Sequence, residues 1–287
     1  MSKSNPWLDR RVVAFAHQGG AFEGPSSTLF AIEQAIARGA TAIELDVHAT
    51  KDRHIVVCHD ETVDRTTNHV GEICNFTLAE LQEMDNAYWW IEGAATTPDR
   101  AEGDYPLRGR APSDRRFGIA TLEEVATAFP RVPLNMDIKR TSPEVEPYEE
   151  LLAKELRRLE RTASVIVASF SDDAIGAFRC VAPEVLTSAA TNETAAFYFA
   201  VREGSVPTPL PVCSLQVPAS YGDIVIVDEA FVTAAHGAGI AVHVWTINDR
   251  PEMQRLLDLD VDGLISDTPT TLVNLLEERG VAWDGVL

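Results

Sequence analysis

Two carboxylates spaced two residues apart are the first sign of chemistry in this sequence. Glu44 and Asp46 lie in the apolar, β-branched run TAIELDVHATKDRHIVVCHD of residues 41–60. As a β-strand, this run projects both side chains from one face. Two carboxylates held together repel each other unless a cation lies between them, so the pair predicts a divalent metal site.

A histidine follows the carboxylates closely. Residues 54–59 form a second strand-like run, and residues 49–53 between the two runs are too few for a parallel crossover. The second run is therefore predicted to fold back as an antiparallel arm, with its turn centred on residues 51–52. This register sets His59 level with Glu44, which places an acid/base group beside the predicted metal.

Further polar side chains stand at the ends of two other apolar runs. His17 ends the first of these, and Asn135, Asp137 and Lys139 alternate along the second. Side chains spaced by two point from a strand into one space. Oxygen donors suit a hard cation, so Mg²⁺ or Ca²⁺ is expected in preference to zinc. The predicted metal ligands are Glu44, Asp46 and Asp137.

The composition excludes several classes of function. The chain has 287 residues, an apolar content of 45% and a formal net charge of −20. This charge argues against binding to nucleic acid or to an anionic membrane. The four cysteines include no C-x-x-C pair, which argues against a disulfide framework and fits a reducing cytoplasm. With neither a signal-peptide pattern nor a membrane-spanning run, a cytoplasmic protein without stable membrane association is expected.

Alternating strands and helices must position these side chains. Eight strands of parallel type alternate with helices, which predicts an α/β fold, a TIM-type (β/α)₈ barrel in a single domain of residues 1–287. Chemistry in such barrels takes place where the strands end, and the polar side chains lie there. The predicted strands are 12–17, 41–47, 132–138, 165–168, 185–188, 212–217, 240–246 and 263–266. The predicted helices are 122–129, 145–159, 172–180, 193–201, 229–238, 251–257 and 271–279, together with one that starts after Ser26, Ser27 or Thr28 and runs to Gly39.

Residues 64–118 interrupt this rhythm. The segment contains several prolines, a basic stretch and the consecutive aromatics Tyr88, Trp89 and Trp90. A long irregular segment inside a barrel is usually a lid or a specificity loop, although a decorated surface loop is the alternative. The three aromatic side chains favour a position at the substrate entrance. We refer to residues 64–118 as the insertion.

A longer series of short motifs shows a family resemblance. The series comprises His17-x-Gly19, Pro25-x-x-Thr28, Glu44-x-Asp46, His59-Asp60, Arg65-Thr66-Thr67, Asn135-x-Asp137-x-Lys139, Ser169-Phe170, Trp245-Thr246-x-Asn248, Asp262-Gly263, Asp267 and Pro269. In order and spacing it resembles the glycerophosphodiester phosphodiesterase family over nearly the whole chain. The resemblance implies a barrel of the phospholipase-C-like phosphodiesterase type.

The resemblance also implies an activity and a role for each matching residue. The expected reaction is metal-dependent hydrolysis of glycerophosphodiesters, as part of lipid and glycerol metabolism, to glycerol 3-phosphate and an alcohol. The expected acid/base pair is His17 and His59, with Lys139 at the phosphate. We assign the base to His17 and the acid to His59, and the sequence does not distinguish this order from the reverse. The expected metal ligands are the carboxylates identified above, and the expected partner is a small molecule. Apart from the roles that the resemblance implies, substrate contacts are expected at Gln18, Arg65, Trp89 and Trp245.

The sequence departs from the family pattern at several positions. Gln18 stands where the family usually has arginine, so one cation facing the phosphate is missing. Ser26 and Ser27 replace the usual Glu-Asn pair, and Glu23 is a possible partial replacement for the lost carboxylate. Asp137 replaces the commoner glutamate and reaches one methylene less. These departures affect substrate preference and metal affinity rather than the histidine pair.

Alternative interpretations remain for the function and for single residues. One is lysophospholipase D activity, with the aromatics of residues 88–90 supporting an acyl chain. Another is a catalytically silent barrel that binds phosphodiesters. At the residue level, Arg65 is either an ion-pair partner or a phosphate contact, and Trp245 is either a core residue or a substrate wall. His48 and His243 are expected to be structural.

Overall fold

Parallel strands and helices alternate along the chain in the computed structural model, which describes residues 5–8, 12–94, 96–139 and 141–283. Short runs of β-branched and apolar residues form the strands. The strands are β1 (Val13–His17), β2 (Ala42–Ala49), β3 (Ile55–Val57), β4 (Ala120–Thr121), β5 (Leu134–Ile138), β6 (Val165–Ala168), β7 (Leu186–Thr187), β8 (Ser214–Pro218), β9 (Ser220–Tyr221), β10 (Ile224–Val225), β11 (Ala241–Trp245) and β12 (Gly263–Ser266).

The helices begin at residues whose side chains cap them. Thr28 accepts a hydrogen bond from the backbone of Ala31, and Thr121 forms a capping box with Glu124. No helix in the described ranges is long and apolar enough to cross a membrane. The helices are α1 (Leu29–Ala37), α2 (Leu78–Gln82), α3 (Leu122–Ala128), α4 (Glu149–Arg158), α5 (Asp172–Val181), α6 (Thr191–Arg202), α7 (Glu229–Gly237), α8 (Arg250–Asp258) and α9 (Pro269–Arg279).

Eight of the strands form a nearly closed parallel barrel. Their order is β7-β6-β5-β2-β1-β12-β11-β8. Between the outer strands, a bridge from Ser188 to Ser214 and a hydrogen bond from Cys213 N to Thr187 O draw the two edges together. The predicted TIM-type barrel is confirmed.

Alternation along the strands separates the barrel interior from the helix layer. In β2, Ile43 and Leu45 point outward into the core beneath the helices, while Ala42 lies in a separate cluster with Phe15 of β1. Glu44 follows Ala42 at a spacing of two and therefore shares its face. The inner face is thus apolar near the start of the strands and becomes polar toward their carboxyl ends.

The antiparallel arm forms as predicted, but its register differs by one residue. Val47 pairs with Val57, and Cys58 N donates to Asp46 O at 3.0 Å. The predicted pairing of His59 with Glu44 is therefore wrong. The turn runs from Thr50 to His54 and includes Arg53 at a φ of +65°, which makes it one residue longer than a turn centred on residues 51–52. His59 lies in a bend beyond β3, outside the paired region.

The insertion packs through small apolar clusters that it shares with its neighbours. It contains α2 and three short 3₁₀ helices at residues 73–75, 102–104 and 115–117. Ile73, Leu81 and Met84 pack with β3, and the indole of Trp90 donates to Ala21 O at 3.0 Å. The insertion is thereby attached to both the arm and the loop after β1.

Candidate functional site

Three neighbouring strands bring the predicted side chains together. His17 of β1 is level with Glu44 of β2, and Asp46 of β2 is level with Asp137 of β5. In-register parallel neighbours hold such side chains next to each other on the same face. The site is therefore built by strand register at the carboxyl ends of β1, β2 and β5.

His17 is oriented by an aspartate from the far end of the chain. Its Nδ1 donates to Asp267 Oδ1 at 2.7 Å, and its Nε2 lies 3.8 Å from Glu44 Oε2. Burial alone lowers the pKa of His17, but the hydrogen bond to Asp267 and the charges of Glu44, Asp267 and Asp46 raise it to about 9. Asn248 holds Asp267 in place by donating to Oδ2 at 2.8 Å and accepting from the Asp267 backbone at 2.8 Å.

Gln18 places an amide against the same imidazole. Its backbone has a φ of +53°, its side chain is 5% exposed, and its Nε2 lies 3.1 Å from His17 Nε2. Within the described part of the chain, Gln18 Oε1 is buried without a hydrogen-bond partner. A neutral imidazole accepts at Nε2 and an imidazolium donates there, so the amide can serve either form of His17 by turning over.

Lys139 bridges two of the three carboxylates. Its Nζ lies 2.9 Å from Asp46 Oδ1 and 3.1 Å from Asp137 Oδ2. Burial and repulsion from Asp46 raise the pKa of Glu44 to about 8. Burial, together with repulsion from Asp46, also raises the pKa of Asp137 to about 6, despite the attraction of Lys139. A single lysine therefore leaves the three buried carboxylates short of positive charge.

The same carboxylates have the donor chemistry of a hard-cation site. Asp46 Oδ2 and Asp137 Oδ1 are buried and, as far as the described residues go, lack hydrogen-bond partners. Within the described ranges, no group of three or more His, Cys, Asp and Glu side chains is arranged to hold a metal ion. Buried oxygens without partners carry a desolvation cost, and a hard divalent cation would remove it. The residues present therefore fit such a cation in their donor chemistry, although their side chains are not arranged around one point.

His59 lies opposite His17 at the site. The two rings are nearly perpendicular, with centroids 6.2 Å apart. His59 Nδ1 donates to Asp60 Oδ1 at 2.6 Å, and Arg65 donates to the same carboxylate from Nε at 2.5 Å and from Nη2 at 3.2 Å. Burial alone raises the pKa of Asp60, but the hydrogen bonds from His59 and Arg65 hold it well below its usual range. Both imidazoles are thus held at Nδ1 by an aspartate.

Comparisons with known proteins identify the family to which the chain belongs. The family model described as "Glycerophosphoryl diester phosphodiesterase family" matches residues 17–271. The chain belongs to the glycerophosphoryl diester phosphodiesterase family. A glycerophosphodiester phosphodiesterase of Caldanaerobacter subterraneus is 29% identical over 94% of this chain and 100% of that protein. The predicted class of enzyme, a phosphodiesterase of this family, is confirmed.

Solved structures of family members share the fold. A glycerophosphoryl diester phosphodiesterase domain from Mycobacterium tuberculosis aligns with a TM-score of 0.76 and 20% identity, over 93% of this chain and 99% of that one. A phosphodiesterase of Oleispira antarctica, solved with its product sn-glycerol-3-phosphate, aligns with a TM-score of 0.69 and 21% identity, over 93% of this chain and 97% of that one. At these identities the likeness establishes the barrel fold.

The aromatic residues predicted to contact substrate occupy two different settings. Trp245, at the end of β11, is half-buried and packs edge-to-face on Phe170, with the two ring centroids 5.6 Å apart. Phe170 is 62% exposed. Trp89 lies inside the insertion, where its indole donates to Thr67 O at 2.8 Å and its ring contacts Tyr105. Trp245 and Phe170 therefore offer apolar surface at the barrel mouth, whereas Trp89 is engaged in the packing of the insertion.

Other residues noted in the sequence have structural partners. Glu23, considered as a replacement carboxylate, accepts from Arg38 at 2.9 Å and from the Thr270 backbone at 3.1 Å. His48 is buried, and burial lowers its pKa to about 4. His243 is also fully buried, against Phe15.

No role was predicted for Asp60, Asn248 or Asp267. These residues were visible only as members of the family-like motifs. In the structure they hold the two imidazoles of the site, directly through Asp60 and Asp267 and indirectly through Asn248. Their positions at or just beyond strand ends were the available signal.

Proposed function

We propose that the protein hydrolyses glycerophosphodiesters to glycerol 3-phosphate and an alcohol, using His17 and His59 as the acid/base pair. The observation that carries the proposal is the pair of aspartate-held imidazoles 6.2 Å apart beside a carboxylate and lysine cluster. The product found in the Oleispira antarctica structure supports the same reaction here.

The proton transfers follow from the orientation of the imidazoles. With Nδ1 of each ring engaged by an aspartate, Nε2 is the nitrogen that exchanges protons with substrate. One histidine takes a proton from water or from the glycerol hydroxyl beside the phosphate, and the other protonates the departing alcohol. If the glycerol hydroxyl attacks, a cyclic phosphate forms and water then opens it.

The order of the two roles is open to measurement. The sequence-based assignment makes His17 the base and His59 the acid, and the sequence leaves the reverse order open. Without a cation, the surrounding carboxylates raise the pKa of His17 to about 9, which favours its protonated form and the opposite order. The pH dependence of kcat in metal-loaded enzyme distinguishes the two orders when His17→Gln and His59→Gln are compared. The variant that lacks the base loses the acidic limb of the pH profile, and the variant that lacks the acid loses the basic limb.

Glu44, Asp46 and Asp137 are the residues that would hold a divalent cation, Mg²⁺ or Ca²⁺. Such a cation would supply charge to balance the phosphate oxygens as they gain negative charge. Lys139, which lies against Asp46 and Asp137, is proposed to bind the same phosphate. Gln18 contributes a neutral amide to that side of the cleft.

The decisive experiment incubates a panel of glycerophosphodiesters with chelated and with metal-reloaded protein and follows the products by phosphorus NMR. We expect glycerol 3-phosphate only after reloading, and loss of product in His17→Ala and His59→Ala. His54→Ala is the matched control, because the side chain of His54 is 53% exposed. Phosphodiester binding that both histidine variants retain, with no product from any protein, would instead establish the silent barrel.

A lysophospholipid substrate is the second candidate. The exposed ring of Phe170 against Trp245 is apolar surface at the barrel mouth, where an acyl chain would lie. Comparing turnover of soluble and acylated substrates tests this candidate, with Phe170→Ser and Trp89→Ala as variants. Loss of acylated turnover alone in Phe170→Ser supports it, whereas equal loss on both substrates argues against it.

A further inference from the structure

A continuous chain of hydrogen bonds joins the insertion to His59. Thr96 Oγ1 of the insertion accepts from Arg65 Nη1 at 3.2 Å. Arg65 donates to Asp60 from Nε at 2.5 Å and from Nη2 at 3.2 Å, and Asp60 accepts from His59 Nδ1 at 2.6 Å. Each residue in this series of hydrogen bonds contacts the next through side-chain atoms.

The geometry of Arg65 suits clamping better than phosphate binding. All three guanidinium nitrogens donate within the protein, two of them to the same carboxylate. A bidentate arginine–carboxylate pair fixes both groups in one plane, which a lysine cannot reproduce. Since Asp60 is only 28% exposed at its side chain and Arg65 35%, solvent screens the pair only in part.

Thr96 is itself held by the packing of the insertion. Its backbone forms an antiparallel bridge with Trp90, whose indole is bonded to Ala21 O. The adjacent Trp89 is packed against the guanidinium of Arg108, whose Cζ lies 4.8 Å from the indole centroid and 3.7 Å from the Tyr105 ring centroid. Thr96, the member of the hydrogen-bond series most distant from His59, is therefore anchored.

The two imidazoles differ in what supports them. Asp267, which orients His17, is held by Asn248, and both lie at strand ends of the barrel. Asp60, which orients His59, is held by Arg65 of the insertion, and Arg65 is in turn held by Thr96. The barrel thus supports one histidine and the insertion supports the other.

We propose that Arg65 and Thr96 are positioning residues that let the insertion set the orientation of the His59 imidazole through Asp60. The inference rests on the proposed function in that His59 must act in the reaction. It assigns the insertion a part in catalysis through His59 in addition to any contact with substrate. Loosening the insertion is then expected to slow the chemical step with little effect on substrate binding.

The first test uses the resting protein without substrate. The hydrogen-bonded Nδ1 proton of His59, assigned by its loss in His59→Gln, is followed by proton NMR. We expect Thr96→Val to shift or broaden this resonance while the Nδ1 resonance of His17 stays in place. Thr96→Ser, which keeps the hydroxyl, restores it. Thr97→Val is the matched control, because it makes the same isosteric change one residue away.

The second test uses steady-state kinetics. Loss of one hydrogen bond in the chain predicts a fall in kcat of roughly fivefold in Thr96→Val, with KM within about twofold. Arg65→Lys loses the bidentate geometry and is expected to lose roughly tenfold to a hundredfold in kcat, the range typical of residues that orient a functional group. Thr96→Ser recovers kcat, and Thr97→Val matches the wild type.

Two outcomes would overturn the proposal. An unchanged His59 resonance in both Thr96→Val and Arg65→Lys removes its structural basis. A raised KM with unchanged kcat in Arg65→Lys would make Arg65 a substrate contact instead. Failure of the proposed function has a different signature, because the wild type then gives no product while the resonance still responds to Thr96→Val.

Discussion

At the scale of single residues, each imidazole depends on an aspartate, but the two aspartates differ in how visible they are in the sequence. Asp60 is adjacent to His59 in the chain, whereas Asp267 is 250 residues from His17. Local reasoning can pair neighbours, but it cannot foresee that β12 closes beside β1 and brings Asp267 to His17. The place of His17 in the site was therefore predictable from its strand-end position, and its support by Asp267 was not.

Asp267→Asn tests the support of His17. The substitution preserves shape but removes the negative charge that favours the Nδ1–H form, so we expect kcat to fall by about 10²-fold or more with KM nearly unchanged. Asp260→Asn, in the turn before β12, is the control and should retain full activity. A rise in KM alone in Asp267→Asn would contradict an orienting role.

Glu44→Gln and Asp137→Asn test the cation site through stability rather than activity. Burial raises the pKa of both carboxyls, so a cation bound to their charged forms should stabilise the folded state. At a cation concentration of 100 Kd, the wild type should gain about 2.7 kcal/mol in free energy of unfolding. Thermal melts with Mg²⁺ or Ca²⁺ should show this gain in the wild type and largely lose it in both variants.

The same thermal melts also test whether the buried carboxylates are the site at which the cation binds. In chelator, Glu44→Gln should melt at or above the wild-type temperature, because it removes a buried carboxylate that lacks sufficient positive charge. Glu277→Gln, an exposed substitution on α9, should respond to cation as the wild type does. An equal response to cation in all four proteins would mean that the cation binds elsewhere.

At the scale of elements, apolar patterning in the sequence predicted most strand and helix boundaries. It failed where the backbone conformation of a single residue set the boundary or the register. Strands β6 and β12 have the predicted bounds, since short apolar runs end at clear polar residues. Helix α4 was predicted from residue 145 but begins at Glu149, because Pro147 disfavours helical conformation in the residue before it. The arm register differed by one residue because a left-handed Arg53 lengthens the turn, which apolar patterning cannot reveal.

The end of α4 provides an element-scale prediction. Glu160 follows the C-cap with a φ of +56°, and the backbone forms a Schellman motif in which Arg161 N donates to Leu156 O and Glu160 N donates to Arg157 O. Glycine adopts this conformation without the Cβ penalty. We expect Glu160→Gly to raise the free energy of unfolding by about 0.5–1 kcal/mol in denaturant titrations.

Glu160→Ala separates backbone conformation from loss of the charged side chain. Alanine removes the carboxylate but keeps the Cβ, so it should be no more stable than the wild type. If alanine stabilises the protein as much as glycine, the gain comes from removing a negative charge near the helix C-terminus, and the conformational explanation fails.

At the scale of the whole molecule, the barrel could be predicted because strands and helices alternate along the sequence. The placement of the insertion could not be predicted in this way. The insertion is attached to the barrel by the contact of Trp90 with Ala21, reaches the site through Arg65 and Asp60, and is tied internally by Arg65 to Thr96; none of these contacts has a periodic signature. The aromatic residues 88–90 were expected at the substrate entrance on the basis of type alone. In the structure, Trp89 and Trp90 pack within the insertion and against the loop after β1. Their contact with substrate stays a prediction.

Closing the barrel also buries His243 in its interior, with a consequence for stability in acid. His243 is 0% exposed, and burial lowers its pKa from 6.5 to about 3. Between these values the unfolded chain binds a proton that the folded protein does not, so this residue contributes stability above pH 6.5 that is lost as the pH falls toward 3. From pH 7 to pH 5, the loss attributable to His243 is about 2 kcal/mol.

His243→Asn removes this titration while keeping a polar group near Gln216, which lies 3.4 Å from His243 Nδ1. The variant will be less stable than the wild type at pH 7, because it leaves unfilled space in a packed interior. The decisive measurement is the free energy of unfolding from denaturant titrations at pH 7 and at pH 5. The decrease from pH 7 to pH 5 should be about 2 kcal/mol smaller in His243→Asn than in the wild type. His54→Asn, at an exposed histidine, should keep the wild-type difference. Equal acid sensitivity in all three proteins would show that His243 becomes protonated without unfolding, and hence that the barrel interior admits a charge.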